Sequence, residues 1–177
     1  MQAGQPRRLG ANALSLGIFG ANCNSGRTYA TLPERWEASW EHNRRLAQLT
    51  EEVGIECMIP IARWKGYGGD TNPNGANFET LTWACGVLAV TRRLTVFCTV
   101  HVPLHHPLVA AKQMATADHI GQGRLGVNIV CGWSADEFRM FGVTPQAHDA
   151  RYTRTAGKLT DCAPLREQSG QRKARRP

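Results

Sequence analysis

The chain has 177 residues, 42% of them hydrophobic and five of them tryptophan, which is enough to bury a one-domain core and excludes a chain disordered throughout. A net charge of +7 would point at nucleic acid if it were evenly spread, but residues 151–177 carry eight Lys or Arg against two acidic residues, and residues 1–150 carry thirteen against twelve. The basicity belongs to the C-terminal tail, nucleic acid is not the expected partner, and no apolar run is long enough to span a membrane.

In chain order, residues 1–12 read as a loose leader. Residues 14–21 (LSLGIFGA) read as a short strand and 20–27 as the loop that leaves it. The spacing of Trp36, Trp40, Leu46, Leu49 and Val53 predicts a helix over 35–53, with Glu37, Glu41, Arg44, Arg45, Glu51 and Glu52 off its apolar face and Gly54 as its stop. Residues 55–62 (IECMIPIA) form the second expected strand, where Pro60 marks a bulge or a position that cannot donate. It exits on Arg63-Trp64-Lys65-Gly66-Tyr67-Gly68-Gly69 into an Asn- and Gly-rich loop over 70–76.

Phe78, Leu81, Cys85 and Leu88 mark a second helix face, closed by Arg92-Arg93 in the sense that a helix dipole favours. Residues 94–101 (LTVFCTVH) are a third strand, leaving through Val102-Pro103-Leu104-His105-His106-Pro107. Leu108, Ala111, Met114, Ala115 and Ile120 share one face of a third helix, which Gly121 and Gly123 stop. Residues 125–131 then read as a buried fourth strand, apolar except for Asn128. Strand and helix alternate with connections long enough for parallel neighbours, so four βα units fit either a doubly wound sheet or half of an eightfold barrel.

The polar residues cluster at strand ends. A buried amide such as Asn128 needs either a protein network or a bound polar ligand. The exit Cys131-Gly132-Trp133, followed by Ser134-Ala135-Asp136-Glu137, supplies a close-approach glycine, a stacking surface and a carboxylate. Asn22, Arg63, His101 and Trp133 with Glu137 all fall at or just beyond the C-terminal ends of successive strands, so one mouth collects them.

Gly17, Gly20 and Gly26 lack the dinucleotide-binding spacing, and there is no phosphate-binding loop motif. His101, His105 and His106 flank prolines with no carboxylate nearby, and no metal site is expected of them. Cys131 beside His101 would make a nucleophile pair, although a strand-end thiol is more often packing. Arg63 and Lys65 read either as a solvated face or, with Trp64 and Tyr67 beside them, as a receptor for a planar anion or ring.

The six cysteines contain no C-x-x-C pair and read as small buried hydrophobes of a reducing cytosol. Arg7-Arg8 precedes a mildly apolar run, but Asn12, Ser15 and two glycines break it as a signal peptide, so a cytoplasmic location is expected.

The segment GRLGVNIVCGWSADEFRMFGV, with HPLVAAKQMATADHIGQG before it and HDARY after it, resembles the bacterial luciferase-like family of flavin-dependent monooxygenases. Within that family it is most similar to the branch of pyrimidine, dimethylsulfone and alkanesulfonate monooxygenases, and ARWKGYGG at residues 62–69 matches the branch's second strand exit. The resemblance covers residues 15–152.

It implies the N-terminal half of a TIM (β/α)8 barrel over residues 13–152. It also implies reduced FMN supplied by a separate flavin reductase, and O2 used through a flavin peroxide to oxygenate a small organosulfur or nitrogen-heterocycle substrate. By position, the family's flavin contacts fall on Ala62, Arg63, Asn128, Glu137, Arg151 and Tyr152, with Arg151 suited to the phosphate. Arg63, which would stabilise negative charge on the flavin, and His101 at its strand end are the catalytic candidates.

After Tyr152 the pattern departs from the family. TRTAGKLTDCAPLREQSGQRKARRP has no helical stripe of useful length, so residues 153–177 are expected to be a disordered, non-family tail, the product of a truncation or a shifted frame. A half barrel leaves two open strand edges, which predicts marginal stability and makes activity of the chain by itself doubtful; homo-oligomerisation is one way to cover them. Two other readings stay open: a non-catalytic barrel fragment whose basic tail binds acidic partners, and a deazaflavin-dependent oxidoreductase on the same barrel.

Overall fold

Four strands, β1 (Gly17–Phe19), β2 (Cys57–Ile59), β3 (Thr95–His101) and β4 (Leu125–Val130), pair in parallel in the order β1-β2-β3-β4 in the computed structural model. The crossovers are α1 (Trp40–Glu52), α2 (Thr80–Val90) and α3 (Pro107–Ile120), and a short α4 (Ala135–Met140) follows β4. The structure describes residues 14–145, 147, 149, 150, 152, 153 and 155–157; the expected leader, Arg151 and most of the expected tail lie outside them. A strand order that follows the chain without reversing is that of a barrel wall, whereas a doubly wound sheet reverses at its switch point. The four βα units are therefore half of a (β/α)8 wall.

The elements are shorter than their sequence patterns. The helix expected over 35–53 begins at Trp40, because Ser39 caps it by accepting from the His42 N–H and the preceding backbone is committed elsewhere. Trp36 donates its indole N–H to Ala21 O at 2.8 Å, and its own carbonyl accepts from Ser25 N at 2.7 Å. The buried side of α1 runs through Asn43, Ala47 and Thr50, while Leu49 and Val53 are exposed; the expected apolar stripe was displaced around the helix. Asn43 earns its buried place by accepting the Trp83 indole N–H at 2.8 Å and donating to Ser39 O at 2.9 Å. On α3 the buried residues are Ala110, Ala111 and Ala117, and the expected face residues Leu108 and Ile120 are exposed.

Arg92 and Arg93 do not close α2, which ends at Val90. The Arg92, Arg93 and Leu94 N–H groups donate instead to Glu51 Oε1, tying the end of α1 to the start of β3. The cation that serves the end of α2 and the turn after it is Arg124, at the foot of β4. Its guanidinium is buried and donates to Leu88 O at 2.8 Å, Thr91 O at 2.9 Å, Leu94 O at 2.9 Å and Thr91 Oγ1 at 3.1 Å.

Register decides which strand residues face the helices. Met58 pairs with Val96, and Val96, Cys98 and Val100 join Val87, Leu88, Trp83, Ala47 and Ala117 in the core. Fully burying side chains such as Met58, Leu88 and Val87 stabilises by roughly 1.5–3 kcal/mol each. Alternation sends Thr95, Phe97, Thr99 and His101 to the opposite face, in register with Gly126 beside Phe97 and Asn128 beside Thr99. β4 is not the buried strand its run of apolar residues suggests, since Val127 is 38% and Ile129 41% exposed.

Burial of the cysteines follows expectation at Cys23, Cys57 and Cys98, with Cys85 and Cys131 half-buried. Burial pushes the Cys23 and Cys98 thiols up to about 12, so neither is a thiolate at neutral pH.

Candidate functional site

The C-terminal ends of the strands build one mouth, and its frame is made of amides and hydroxyls. Asn22, after β1, is fully buried and staples the β2 exit: its Nδ2 donates to Ile61 O at 2.8 Å and Phe78 O at 3.2 Å, and its Oδ1 accepts from Ile61 N at 2.8 Å. Its amide is committed to backbone and is a scaffold, not a ligand group. Beyond Ile59 the chain leaves β3, because Pro60 has no N–H to continue the ladder. Thr99 bridges the gap, donating its hydroxyl to Pro60 O at 2.7 Å.

The same Thr99 resolves the amide in β4. Asn128 is half-buried, and its Nδ2 donates to Thr99 Oγ1 at 3.2 Å, while Thr80 Oγ1 donates to Thr99 O at 2.6 Å. Of the two outcomes open from the sequence, a protein network therefore takes one N–H of Asn128, and the second N–H and Oδ1 make no hydrogen bond among the described residues. Thr80 and Thr99 were not singled out from the sequence. The available signal was a hydroxyl in an apolar strand, but recognising it needed the register that sets Thr99 beside Asn128.

Arg63 and Glu137 form the charged centre. Both are buried, and Glu137 Oε1 accepts from Trp64 N at 2.9 Å, Lys65 N at 3.3 Å and Arg63 Nη1 at 3.4 Å. The ion pair is long for a charge-assisted contact, since one oxygen shares three donors. α4 makes this possible: Ser134 caps it by accepting from Glu137 N at 3.4 Å, which turns the polar exit after Trp133 into a helix and sets the carboxylate under the β2 exit.

The Arg63 guanidinium lies against the Tyr67 ring at 4.4 Å and the Trp133 ring at 4.6 Å, and those two rings stack at 6.4 Å. Trp133 remains 65% exposed, with Arg63 and Tyr67 against its ring. On the rim, Lys65 pairs with Asp136 at 2.8 Å, and this contact holds the Asp136 carboxyl below its ordinary range.

His101 ends β3. Burial lowers its pKa, Glu137 partly opposes that, and Arg63 and His105 lower it further, so the imidazole is neutral at pH 7. Its Nδ1 and the Nε of Arg63 have no hydrogen-bond partner among the described residues. Both side chains line a small crevice with Ala62, Thr80, Thr99 and His105. The structure thus brings Ala62, Arg63 and His101 to one crevice, sets Glu137 behind Arg63, and attaches Asn128 to it through Thr99.

Tyr152 is 56% exposed, outside that lining, and Arg151 is not among the described residues. Cys131 does not meet His101 as a nucleophile pair; its thiol donates to Thr155 Oγ1 at 3.4 Å. Residues 153 and 155–157 are helical and Thr155 is buried. Among the described residues, no three His, Cys, Asp or Glu side chains group as metal ligands.

A parallel (β/α) wall with its polar residues gathered at the C-terminal strand ends defines a barrel-type α/β protein with its site in the exit loops. The chain belongs to the luciferase-like monooxygenase family, whose model matches residues 14–160. It is 31% identical over 132 residues to pyrimidine monooxygenase RutA of Bradyrhizobium sp., covering 75% of this chain and 37% of that protein. The RutA of Caulobacter vibrioides is likewise 31% identical, over 140 residues, or 79% of this chain and 39% of that protein.

Among solved structures, EDTA monooxygenase from Chelativorans sp. BNC1 superposes with a TM-score of 0.74 at 17% identity, covering 84% of this chain and 36% of that one. A riboflavin lyase solved with modified FMN and riboflavin gives a TM-score of 0.72 at 22% identity, over 84% of this chain and 37% of that one. The chain thus spans less than two-fifths of the length of the curated relatives it matches.

Proposed function

We propose that this chain carries the flavin side of an FMN(H2)-dependent monooxygenase acting on a small organosulfur or nitrogen-heterocycle substrate in the cytoplasm, with the reduced flavin delivered by a separate reductase. The observation that carries the reading is the pairing of two polar atoms without partners among the described residues, Arg63 Nε and His101 Nδ1, with the exposed Trp133 ring at the same strand ends. Donors and a flat apolar face are what a flavin ring edge and ring plane require. Bound reduced FMN would supply the electrons and the oxygen-activating chemistry.

The chain's own residues would then hold and shape the site. Asn128 offers its remaining amide N–H and Oδ1 to a ring edge, and the Ala62–Arg63 backbone is held at a fixed place by Asn22 and Glu137. Arg63 brings one positive charge beside any developing anion, and neutral His101 can take a proton or donate a hydrogen bond at Nδ1 according to its tautomer. Arg151 and Tyr152 are proposed for the phosphate from their position in the family pattern.

The name of the RutA relatives supports a pyrimidine-like heterocycle as the first substrate to try. The test is anaerobic titration of the full chain with reduced FMN, followed by flavin fluorescence. Saturable binding that weakens at least tenfold in Asn128→Ala is expected, and absence of saturable binding in a folded sample overturns the proposal.

A further inference from the structure

Glu137 stands among the expected flavin contacts, yet its Oε1 is taken up inside the protein by the Trp64 and Lys65 amides and by Arg63. What that arrangement controls is the aim of the guanidinium. Arg63 is 7% exposed, and Glu137 is its only ion-pair partner among the described residues. Tyr67 and Trp133 set their rings against the guanidinium at 4.4 Å and 4.6 Å and favour the orientation seen. Nη1 is drawn to Glu137, and Nε–H of the same crevice-lining residue is buried and without an acceptor among the described residues. His101 lines the same crevice, is 6% exposed, and leaves Nδ1 equally without a partner.

We infer that Glu137 is a positioning residue that aims Arg63, so that Arg63 Nε–H and the His101 imidazole together receive a single acceptor oxygen of a small neutral carbonyl ligand. A guanidinium has only donors, so whatever meets Nε must present a lone pair. The imidazole completes the pair when its proton sits on Nδ1, giving two N–H groups that converge on one oxygen. The crevice has room for about one atom of that size, so of a ring ligand only an exocyclic oxygen reaches it and the ring itself stays outside. The remainder of such a ligand must therefore lie outward, in the mouth beside Trp133. The buried charges balance within the protein, Arg63 against Glu137, so a neutral carbonyl is received without leaving a net buried charge, whereas a carboxylate would leave one.

The inference does not depend on flavin, and its test is done without it. The full 177-residue chain, labelled with nitrogen-15, is titrated with formamide while the Arg63 Nε–H cross-peak and the His101 ring nitrogens are followed. Loss of the cross-peak in Arg63→Lys assigns it. Formamide should shift both signals with one midpoint. Glu137→Gln keeps a carbonyl oxygen for the Trp64 and Lys65 amides but loses the charge that holds Arg63, and should raise that midpoint about tenfold. His101→Ala, which leaves Glu137 and its loop contacts untouched, should raise it by a similar factor. The inference is overturned if the Arg63 signal does not move with formamide, or if it moves with an unchanged midpoint in the folded His101→Ala chain. An unchanged midpoint in a folded Glu137→Gln chain equally removes the positioning role.

Discussion

Arg124 offers the sharpest test of how this half barrel is held together. Its two terminal nitrogens satisfy three backbone carbonyls, of Leu88, Thr91 and Leu94, together with the Thr91 hydroxyl, all from a side chain that is 8% exposed. Helix ends leave carbonyls without partners, and these face protein, not water. Arg124→Met fills most of the volume and removes every donor, so the cost is that of stranding three buried acceptors. At about 1 kcal/mol each for the lower bound of an unsatisfied buried group, and with a charged donor lost, the expected destabilisation is about 3–5 kcal/mol. Arg124→Lys retains a charge with three donors but cannot reach both sides of the helix end, and should cost about half as much. Urea unfolding followed by far-UV circular dichroism, with the slope compared across variants, reads both values. If Arg124→Met lies within about 0.5 kcal/mol of the parent chain, or equals Arg124→Lys, the guanidinium is not the cap of α2 and the reasoning fails.

Three further outcomes follow from other contacts. Burial raises the Glu51 pKa, but the Arg93, Leu94 and Arg92 N–H groups outweigh it and hold the carboxyl below its ordinary 4.5. Its contribution is therefore fully present above that value and is lost as pH falls through the lower folded-state value; Glu51→Gln should cost about 1–2 kcal/mol at pH 7 and flatten the acid limb of the stability curve. A Cβ at Gly126 would sit 2.6 Å from the Phe97 ring, so Gly126→Ala should destabilise by about 1–3 kcal/mol, and Phe97→Leu in the same chain should recover part of it; thermal unfolding of the three chains decides. Trp133→Ala removes an exposed ring and should change stability by less than about 1 kcal/mol. Reduced-FMN affinity should fall about tenfold in the same variant, and an unchanged affinity would take the indole out of the site.

The parts of the fold that were legible in the sequence are those fixed by local chemistry. Gly54 stops α1 at a φ of +83°, Gly123 follows α3 at +85°, and the β-branched run of β3 is recovered almost to the residue. The parts that were not legible depend on long-range partners. Nothing in the spacing of Trp36 and Trp40 shows that the Trp36 backbone serves Ser25, and so the start of α1 was misplaced. Asn43 and Thr50 look polar in the pattern yet occupy the buried face, because only tertiary contact offers Asn43 the Trp83 indole. Arg92 and Arg93 had the right charge at the right end of α2, but the carbonyls there went to Arg124, more than thirty residues later.

The candidate site shows the same division in its chemistry. That Arg63, His101, Trp133 and Glu137 share a mouth followed from strand ends alone, because parallel βα units all exit on one side. What each group does there did not follow, because a role is set by which atoms remain unpaired. Asn22 and Glu137 both look like ligand residues in the sequence, and both spend oxygens on backbone N–H groups of the β2 exit. Their effect is to hold the 61–65 segment from two sides, one from the end of β1 and one from α4, so that a segment with no strand partner of its own keeps a single shape. A loop fixed in this way can present the Arg63 side chain, buried and bounded by two rings, in one orientation. That orientation, and not the count of polar residues in the mouth, is what makes the site selective for where an oxygen can sit.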